Sequence, residues 1–433
     1  MELDNSRQHR ALSNWSSVSG EDSDVDADAR LEGSLVVFSG GTAFNSTASI
    51  LKKYTSRVAY VLPVSDDGGS TRVIIDVLGG PAVGDIRSRC LRLSNDRTPE
   101  GTAVRNLLAH RLDPENEDVA RHEWLRIVEG SHTLWANVGD PYKHTIRAFL
   151  VHFQAGVLGS REAGKFTYTN GSIGNFFFAG ARTFFNSMEA AIFMYHRVSG
   201  VATRSDVLPV IVSERRITIA AELESGEEIL GQNEISHPST GSNTVSKEDS
   251  APMSSPVSRI FYLSSDGDHE TAPQPNPAVL QAIGESRAIV YGMGSLYTSI
   301  APCLVLPGMG EAIAAVDTPK ILLLNSTPDR ESGDLPASGF VKAITKALNR
   351  KGSRLRHVSE LDLPPSAYIT RVVYAEGSKV HVDVEELEAL GIEVSACKSV
   401  TRPGKSGHED DYSVLFDNPA LCELLVHLGA GED

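Results

Sequence analysis

The sequence predicts an α/β protein built on a doubly wound, mainly parallel β-sheet with a helical insertion. Two observations carry this. Short continuous apolar runs, such as Leu35–Val36–Val37–Phe38 and Val58–Ala59–Tyr60–Val61–Leu62, suit strands covered on both faces, as in parallel sheets. Stretches of helical spacing separate such runs. Between the first two, Phe44, Ala48, Ile50, Leu51 and Tyr54 recur at helical intervals, which makes a strand–loop–helix–strand unit.

Taken in chain order, residues 1–32 are polar and acidic, with Glu21, Asp22, Asp24, Asp26 and Asp28 set among serines. Such a segment cannot bury enough apolar area to offset its ordering entropy, and a disordered tail is expected. Residues 33–433 are expected to form one domain. Further strands of the same sheet are expected at Val207–Val212, Arg259–Leu263, Ala288–Tyr291, Ile321–Leu324 and Ile369–Tyr374. Two stretches interrupt the pattern. Residues 113–158 read as a packed helical insertion, carrying Trp124, Trp135, Tyr142 and Phe149. Residues 236–256 are rich in Ser, Pro, Thr, Asn and Gly and read as a mobile loop. Periodic self-similarity is absent, which excludes a repeat architecture.

Composition narrows the function. With 433 residues, 41% hydrophobic and 22% charged, the chain can bury a sizeable core. No run approaches the roughly 20 apolar residues of a membrane span. The formal charge of −16 argues against a nucleic-acid surface, which needs a basic face. A phosphate-bearing ligand must then be held by local backbone dipoles and a few cations. The cysteines Cys90, Cys303, Cys397 and Cys422 show no C-x-x-C spacing, which suits a reducing compartment, the cytoplasm, rather than a disulfide scaffold or structural zinc. No apolar signal segment with a basic flank opens the chain.

Five strings bear on chemistry. Ser39–Gly40–Gly41–Thr42 follows the first strand and precedes a helix; its glycines permit a tight turn near a ligand, and the following amides can face an anion. It is neither a Walker loop nor G-x-G-x-x-G, and an ordinary glycine turn gives the same string. Ser65–Asp66–Asp67–Gly68–Gly69–Ser70–Thr71 ends the second strand, the edge where open parallel sheets bind ligands. Asp66 and Asp67 could hold Mg²⁺ against a phosphate or deprotonate a hydroxyl; the alternative is an Asp-Gly turn capping the helix near Ser70. In Gly84–Asp85–Ile86–Arg87, Arg87 could fork onto a phosphate, although a surface arginine paired with Asp85 is the commoner arrangement. Gly174–Asn175 opens a long apolar helix; Phe176, Phe177 and Phe178 read as core, while Asn175 offers a donor and an acceptor together. Finally, Gly292–Met293–Gly294–Ser295–Leu296–Tyr297–Thr298–Ser299–Ile300 follows a strand and starts a helix, a second anion cradle. Asn325 and Arg330 could frame the same crevice. No histidine falls in a metal motif, and no G-x-S-x-G elbow is present.

In order and spacing these five strings, from about Leu35 to Asn325, resemble the CofD/YvcK family. The eukaryotic branch, fungal or plant, is the nearer likeness because Gly231–Gln232–Asn233–Glu234–Ile235–Ser236–His237–Pro238 also occurs there. The resemblance implies a Rossmann-like fold with a nucleotide in the crevice. It implies one of two functions. CofD proteins transfer a phosphorylated three-carbon group of the 2-phospho-L-lactate type from a guanosine diphosphate-linked donor to a deazaflavin alcohol, with Mg²⁺. YvcK proteins bind UDP-sugars and act in carbon metabolism and cell-envelope control. Carried onto this chain, Gly40, Gly41, Thr42, Asn45, Gly68, Gly69, Ser70, Asp85, Arg87, Gly292, Gly294, Ser295, Tyr297, Thr298, Asn325 and Arg330 would bind the ligand. Asp66, Asp67 and Asn175 would be catalytic, with both aspartates on the metal. The expected partner is a nucleotide diphosphate or nucleotide-sugar, not a nucleic acid or a membrane, with homodimerisation left open. Bacterial relatives usually carry Gly where this chain has Ala43, and Pro where it has Met293; Ala43 is expected to narrow the first loop's backbone options.

Overall fold

The protein was analysed as a computed structural model, which describes residues 34–55, 57–201, 205–237, 253–264, 269–403 and 412–430. The expected acidic tail, and residues 238–252 of the expected mobile loop, lie outside the described residues.

The strands are β1 (Ser34–Phe38), β2 (Val58–Leu62), β3 (Ser205–Pro209), β4 (Thr218–Leu223), β5 (Glu228–Leu230), β6 (Val257–Leu263), β7 (Glu270–Thr271), β8 (Ser286–Tyr291), β9 (Lys320–Leu323), β10 (Arg371–Ala375), β11 (Glu393–Cys397), β12 (Ser399–Pro403) and β13 (Tyr412–Phe416). Seven of them form the central sheet in the order β11-β10-β9-β8-β1-β2-β3, and every pair in it is parallel. The chain lays down β1 to β3 in one direction, returns to place β8 beside β1, and builds outward the other way. That reversal is the doubly wound arrangement the apolar runs predicted. Helices cover the sheet, so β2 and β9 are buried along their whole length, as continuous apolar strands require.

One predicted strand belongs elsewhere. Arg259–Leu263 falls in β6, which pairs antiparallel with β4 and β7 in a separate four-stranded sheet, β5-β4-β6-β7. Arg259 explains the difference. It sits mid-strand opposite Glu222 and ion-pairs with Glu222 at 2.7 Å and Glu270 at 2.9 Å. A charged row with cross-strand partners marks one face of an antiparallel sheet, not a strand enclosed on both sides. The hairpin β12–β13 and the edge strand β11 were not predicted; their alternating, half-exposed residues give no continuous apolar run.

Helices flanking the first strands are α1 (Asn45–Leu51), α2 (Gly69–Leu78), α3 (Gly84–Leu93), α4 (Pro99–Ala109), α5 (Glu117–Glu129), α6 (Asp140–Gly159), α7 (Ile173–Phe185) and α8 (Met188–Ser199). Segment 113–158 contains α5 and nearly all of α6. Phe176, Phe177 and Phe178 of α7 are buried. Phe176 stacks on Phe153 of α6 with centroids 4.5 Å apart, and Trp124 of α5 meets Phe176 edge-on at 5.0 Å.

The α6–α7 crossing depends on Gly180. A Cβ there would lie 2.1 Å from the Phe149 carbonyl oxygen, which is backbone and cannot swing aside. Gly180→Ala is therefore expected to cost about 2 kcal/mol of unfolding free energy, as overpacking commonly does. Gly159→Ala, with nothing within 4 Å, should be neutral or stabilising by up to about 1 kcal/mol. Urea denaturation of both variants checks the contrast.

Candidate functional site

Because strand order reverses between β1 and β8, the loops leaving their carboxyl ends diverge and leave a crevice. Gly40–Gly41–Thr42–Ala43 leaves β1, Asp66–Asp67–Gly68–Gly69 leaves β2, and Met293–Gly294–Ser295 leaves β8. All three line one cleft of about 830 Å³. An adjoining chamber of about 360 Å³ shares Ala43, Met293, Gly294 and Ser295 and reaches Asn325, Arg330 and the β12–β13 hairpin. The two glycine loops thus open onto a common space.

The first loop has a fixed peptide orientation. Arg89 donates from Nη2 to the Gly40 carbonyl at 3.0 Å. Asn45 donates from Nδ2 to the Gly41 carbonyl, and Ser88 Oγ donates to the same oxygen at 3.3 Å. Both carbonyls therefore face the protein interior. In a trans peptide the N–H of the next residue lies on the opposite side, so the amides of Gly41 and Thr42 face the cleft. Among the described residues, the amides of Gly40, Gly41, Thr42 and Ala43 find no protein acceptor. A row of outward amides at the start of α1 is an anion-binding arrangement.

The glycines make room for neighbouring side chains and backbone. A Cβ on Gly40 would lie 2.4 Å from Ser299 Oγ, and one on Gly41 2.8 Å from the Asp85 Cα. Neither has a positive φ, and neither has Ala43, so alanine at position 43 narrows nothing the loop uses.

The second cradle is already filled. The amides of Tyr297 and Thr298 both donate to Glu331 Oε2 at 3.0 Å. Glu331 Oε1 accepts from Thr298 Oγ1 at 2.5 Å and from Ser236 Oγ at 2.7 Å. The expectation that this helix start grips a ligand phosphate is thus corrected: a carboxylate of the chain itself occupies it. Asn325 brackets Gly294, accepting from its amide at 2.9 Å and donating to its carbonyl at 2.8 Å. Gly294 has φ +147°, a conformation reserved to glycine.

The carboxylates of the cleft are engaged locally. Asp66 Oδ1 accepts from the Gly68 amide at 3.0 Å. Asp67, 8% exposed, accepts through Oδ1 from the Asn233 amide at 2.8 Å. The Asp66 bond closes the Asp-Gly turn that leads into α2, so this carboxylate has a local turn role as well as a place on the cleft wall. Asp67 anchors a short helix, α9 (Gln232–Ser236), across the cleft rim. Arg330 secures its other end, donating from Nη1 to the carbonyls of Glu234 at 3.1 Å and Ile235 at 2.6 Å. Asp85 sits in the first turn of α3 behind Gly41. Among the described residues no group of three His, Cys, Asp or Glu is arranged to hold a metal. A magnesium ion would use Asp66 or Asp67, with phosphate and water completing its shell, as is usual for this ion.

Several predicted residues do not line the cleft or the chamber. Arg87, 8% exposed, forms no pair with Asp85 and donates to Asn175 Oδ1 at 2.9 Å; burial lowers its pKa. Asn175 donates to Ser70 Oγ at 3.0 Å. This chain ties α3 and α7 to the start of α2, so Asn175, expected to orient a reacting group, supports the Asp66–Gly69 loop from behind. Asn45 and Gly292 also act from beneath, and Tyr297 turns its ring into a separate cavity beside β6. Conversely, no sequence motif points to Glu331, and His237, which falls in no metal motif, stands on the rim with Arg72 and Asp76.

A profile of the family described as 2-phospho-L-lactate transferase CofD matches residues 35–400. The chain is 32% identical to the uncharacterized protein YNL011C of Saccharomyces cerevisiae, over 88% of this chain and 98% of that one. It is 25% identical to the gluconeogenesis factor of Bacillus subtilis, over 91% of this chain and 97% of that one. A crystal structure of a UPF0052-family protein from Bacillus halodurans shares the fold, with a TM-score of 0.62 at 21% identity, covering 91% of this chain and 100% of the other.

Burial raises the Glu331 pKa above its ordinary 4.5, with Asp329 adding to the effect. From pH 4.5 upward the folded state then retains a proton that the unfolded chain has released, so this group's contribution makes stability fall as pH rises. Glu331→Gln keeps an acceptor for the amides but cannot ionise. Its urea midpoint is expected to lack that downward component, and a pH profile identical to wild type would contradict the assignment.

Proposed function

The chain belongs to the CofD family, and from that premise we propose that it binds a nucleotide diphosphate or nucleotide-linked donor in the β1–β8 crevice. The observation that carries this reading is the pair of inward carbonyls at Gly40 and Gly41, which leaves the neighbouring amides facing the cleft. The diphosphate would lie along that loop. Asp66 or Asp67 would hold Mg²⁺, which would neutralise phosphate charge. The chain's excess of acidic groups favours such a cation.

As a transferase, the protein would move a phosphorylated three-carbon group from the donor to an alcohol. The acceptor oxygen forms the new bond to phosphorus, the pyrophosphate bond breaks, and the nucleoside monophosphate leaves with the electron pair. Whichever of Asp66 and Asp67 is not on the metal would take the hydroxyl proton. Positioning would supply most of the acceleration. The alternative is a UDP-sugar-binding regulator without turnover. It is favoured by the bond from the Asn233 amide to Asp67, which gives that carboxylate a structural duty, and by the relatives named gluconeogenesis factor. The buried thiols, none in a disulfide, suit a cytoplasmic setting. No single helix among the described residues is long and apolar enough to cross a membrane.

Calorimetry with UDP-N-acetylglucosamine, GDP and GTP, each with and without Mg²⁺, separates the readings. Metal-dependent binding of guanine nucleotides supports the transferase. Metal-independent binding of the UDP-sugar, with no product by mass spectrometry, supports the regulator. Asp66→Asn and Asp67→Asn each retain an oxygen acceptor, so the melting temperature should move by only a few degrees. Metal-dependent affinity should fall roughly tenfold or more. Unaltered affinity in both variants would remove the aspartates from the site.

A further inference from the structure

Beneath the first loop lies a cation for which the proposed function has no role so far. Arg89 of α3 is completely buried. Its guanidinium packs over the rings of Tyr60, 4.8 Å from the centroid, and Phe44, 5.3 Å away. Nη2 donates to Ser39 Oγ and to the Gly40 carbonyl, both at 3.0 Å, while Nε and Nη1 have no partner. Among the described residues no carboxylate lies within ion-pair distance of it. Burial lowers its pKa only to about 10, so the group is charged at neutral pH.

Holding one carbonyl in place does not need a charge; a buried amide would do it without the penalty of an unpaired ion. The two ring faces offset part of that penalty, and two guanidinium nitrogens still lack acceptors. The charge feels the carboxylate of Asp85, one turn earlier on the same helix, without an ion pair to it, and lies behind the peptide whose amide faces the cleft. A ligand anion on that amide would be separated from Arg89 by little more than one peptide plane, in a region of low dielectric where charges act strongly.

We propose that Arg89 is a positioning residue of the anion loop, which turns the Gly40 carbonyl inward and leaves its own charge to be balanced by the ligand's phosphates. This rests on the reading of the cleft as an anion site. It assigns the site a preference for the more highly charged of two otherwise similar phosphate ligands. It also makes the empty protein less stable than its packing allows, with ligand binding relieving the cost.

The test compares wild type with Arg89→Met, using UMP, UDP and inorganic pyrophosphate in calorimetry and thermal melts. Wild type should prefer UDP to UMP. In R89M that preference should shrink by on the order of tenfold per unit of ligand charge. The unliganded R89M melting temperature should be equal to wild type or higher, because an unpaired buried ion has been removed, and the pyrophosphate-induced rise should be largely lost. Equal weakening of UMP and UDP, or a lowered melting point with the UDP preference intact, assigns Arg89 a purely structural role and overturns the proposal. Should R89M not fold, R89K keeps the charge and R89Q keeps a donor: the preference persists in the first and collapses in the second, and equal behaviour of the two overturns the proposal. Wild type binding pyrophosphate but neither nucleotide would overturn the nucleotide reading while leaving Arg89 testable with phosphate against pyrophosphate. Wild type binding none of the three overturns both.

Discussion

The site depends on which way two peptide planes face. At Gly40 and Gly41 the carbonyls could point into the cleft or away from it, and the chemistry of the crevice inverts between the two. Pointing in, they would present partial negative charge beside Asp66, Asp67 and Asp85, and no anion would enter. Arg89, Asn45 and Ser88 hold them pointing away. These three side chains come from α1 and α3, so the loop's electrostatics are set by how those helices pack on β1. The lack of a Cβ at Gly41, against the backbone of Asp85, is what lets α3 come close enough.

Two glycine loops leave adjacent parallel strands, and the chain itself fills part of one of them. At the β8 loop, Glu331 takes two helix-terminal amides and two hydroxyls. The asymmetry gives the crevice a direction. The β1 side offers unmatched amides with a cation behind them, whereas on the β8 side Asn325 takes the Gly294 amide and Glu331 those of Tyr297 and Thr298, and the cleft continues into a chamber with Asn325 and the β12–β13 hairpin. Charged and uncharged portions of one ligand would sort themselves along that axis. The same carboxylate holds Ser236, so the end of α9 and the second loop share one anchor. Asp67 and Arg330 tie the rest of α9 to the cleft wall, and displacement at the rim would be felt at both loops.

Much of this was legible in the sequence, and the boundary of legibility has a physical basis. β1, β2, β8 and β9 announce themselves because a strand buried on both faces must be apolar throughout, and the glycine strings at their ends place the crevice. Arg259–Leu263 is as apolar as those strands apart from its arginine, but its sheet is decided by cross-strand partners, Glu222 and Glu270, that local pattern cannot reveal. Asn175 stands out in the sequence as a polar residue at the start of an apolar helix. Its partners Arg87 and Ser70 are distant in sequence, so its direction was invisible and its role was misread as contact with the reacting group. Glu331 lies in a loop without motif, 33 residues from the amide of Thr298. Nothing in a one-dimensional reading distinguishes a glutamate that fills a helix start from one that faces water.

The filled second cradle also bears on the choice between catalysis and sensing. A transferase must stabilise charge that shifts from the bridging oxygen to the departing phosphate, which calls for donors or cations at both ends of the breaking bond. Here the run of four consecutive amides without a protein acceptor among the described residues, Gly40 to Ala43, lies at the β1 loop. At the β8 loop Glu331 takes two helix amides, and on the β2 side the carboxylates of Asp66 and Asp67 would oppose developing negative charge unless a divalent cation were bound there. A sensor needs only the first end, because it holds the ground-state diphosphate and reads the remainder through hydroxyl and apolar contacts. On the proposed reading the first loop suffices for binding, and turnover of the proposed kind would need the cation proposed at Asp66 and Asp67.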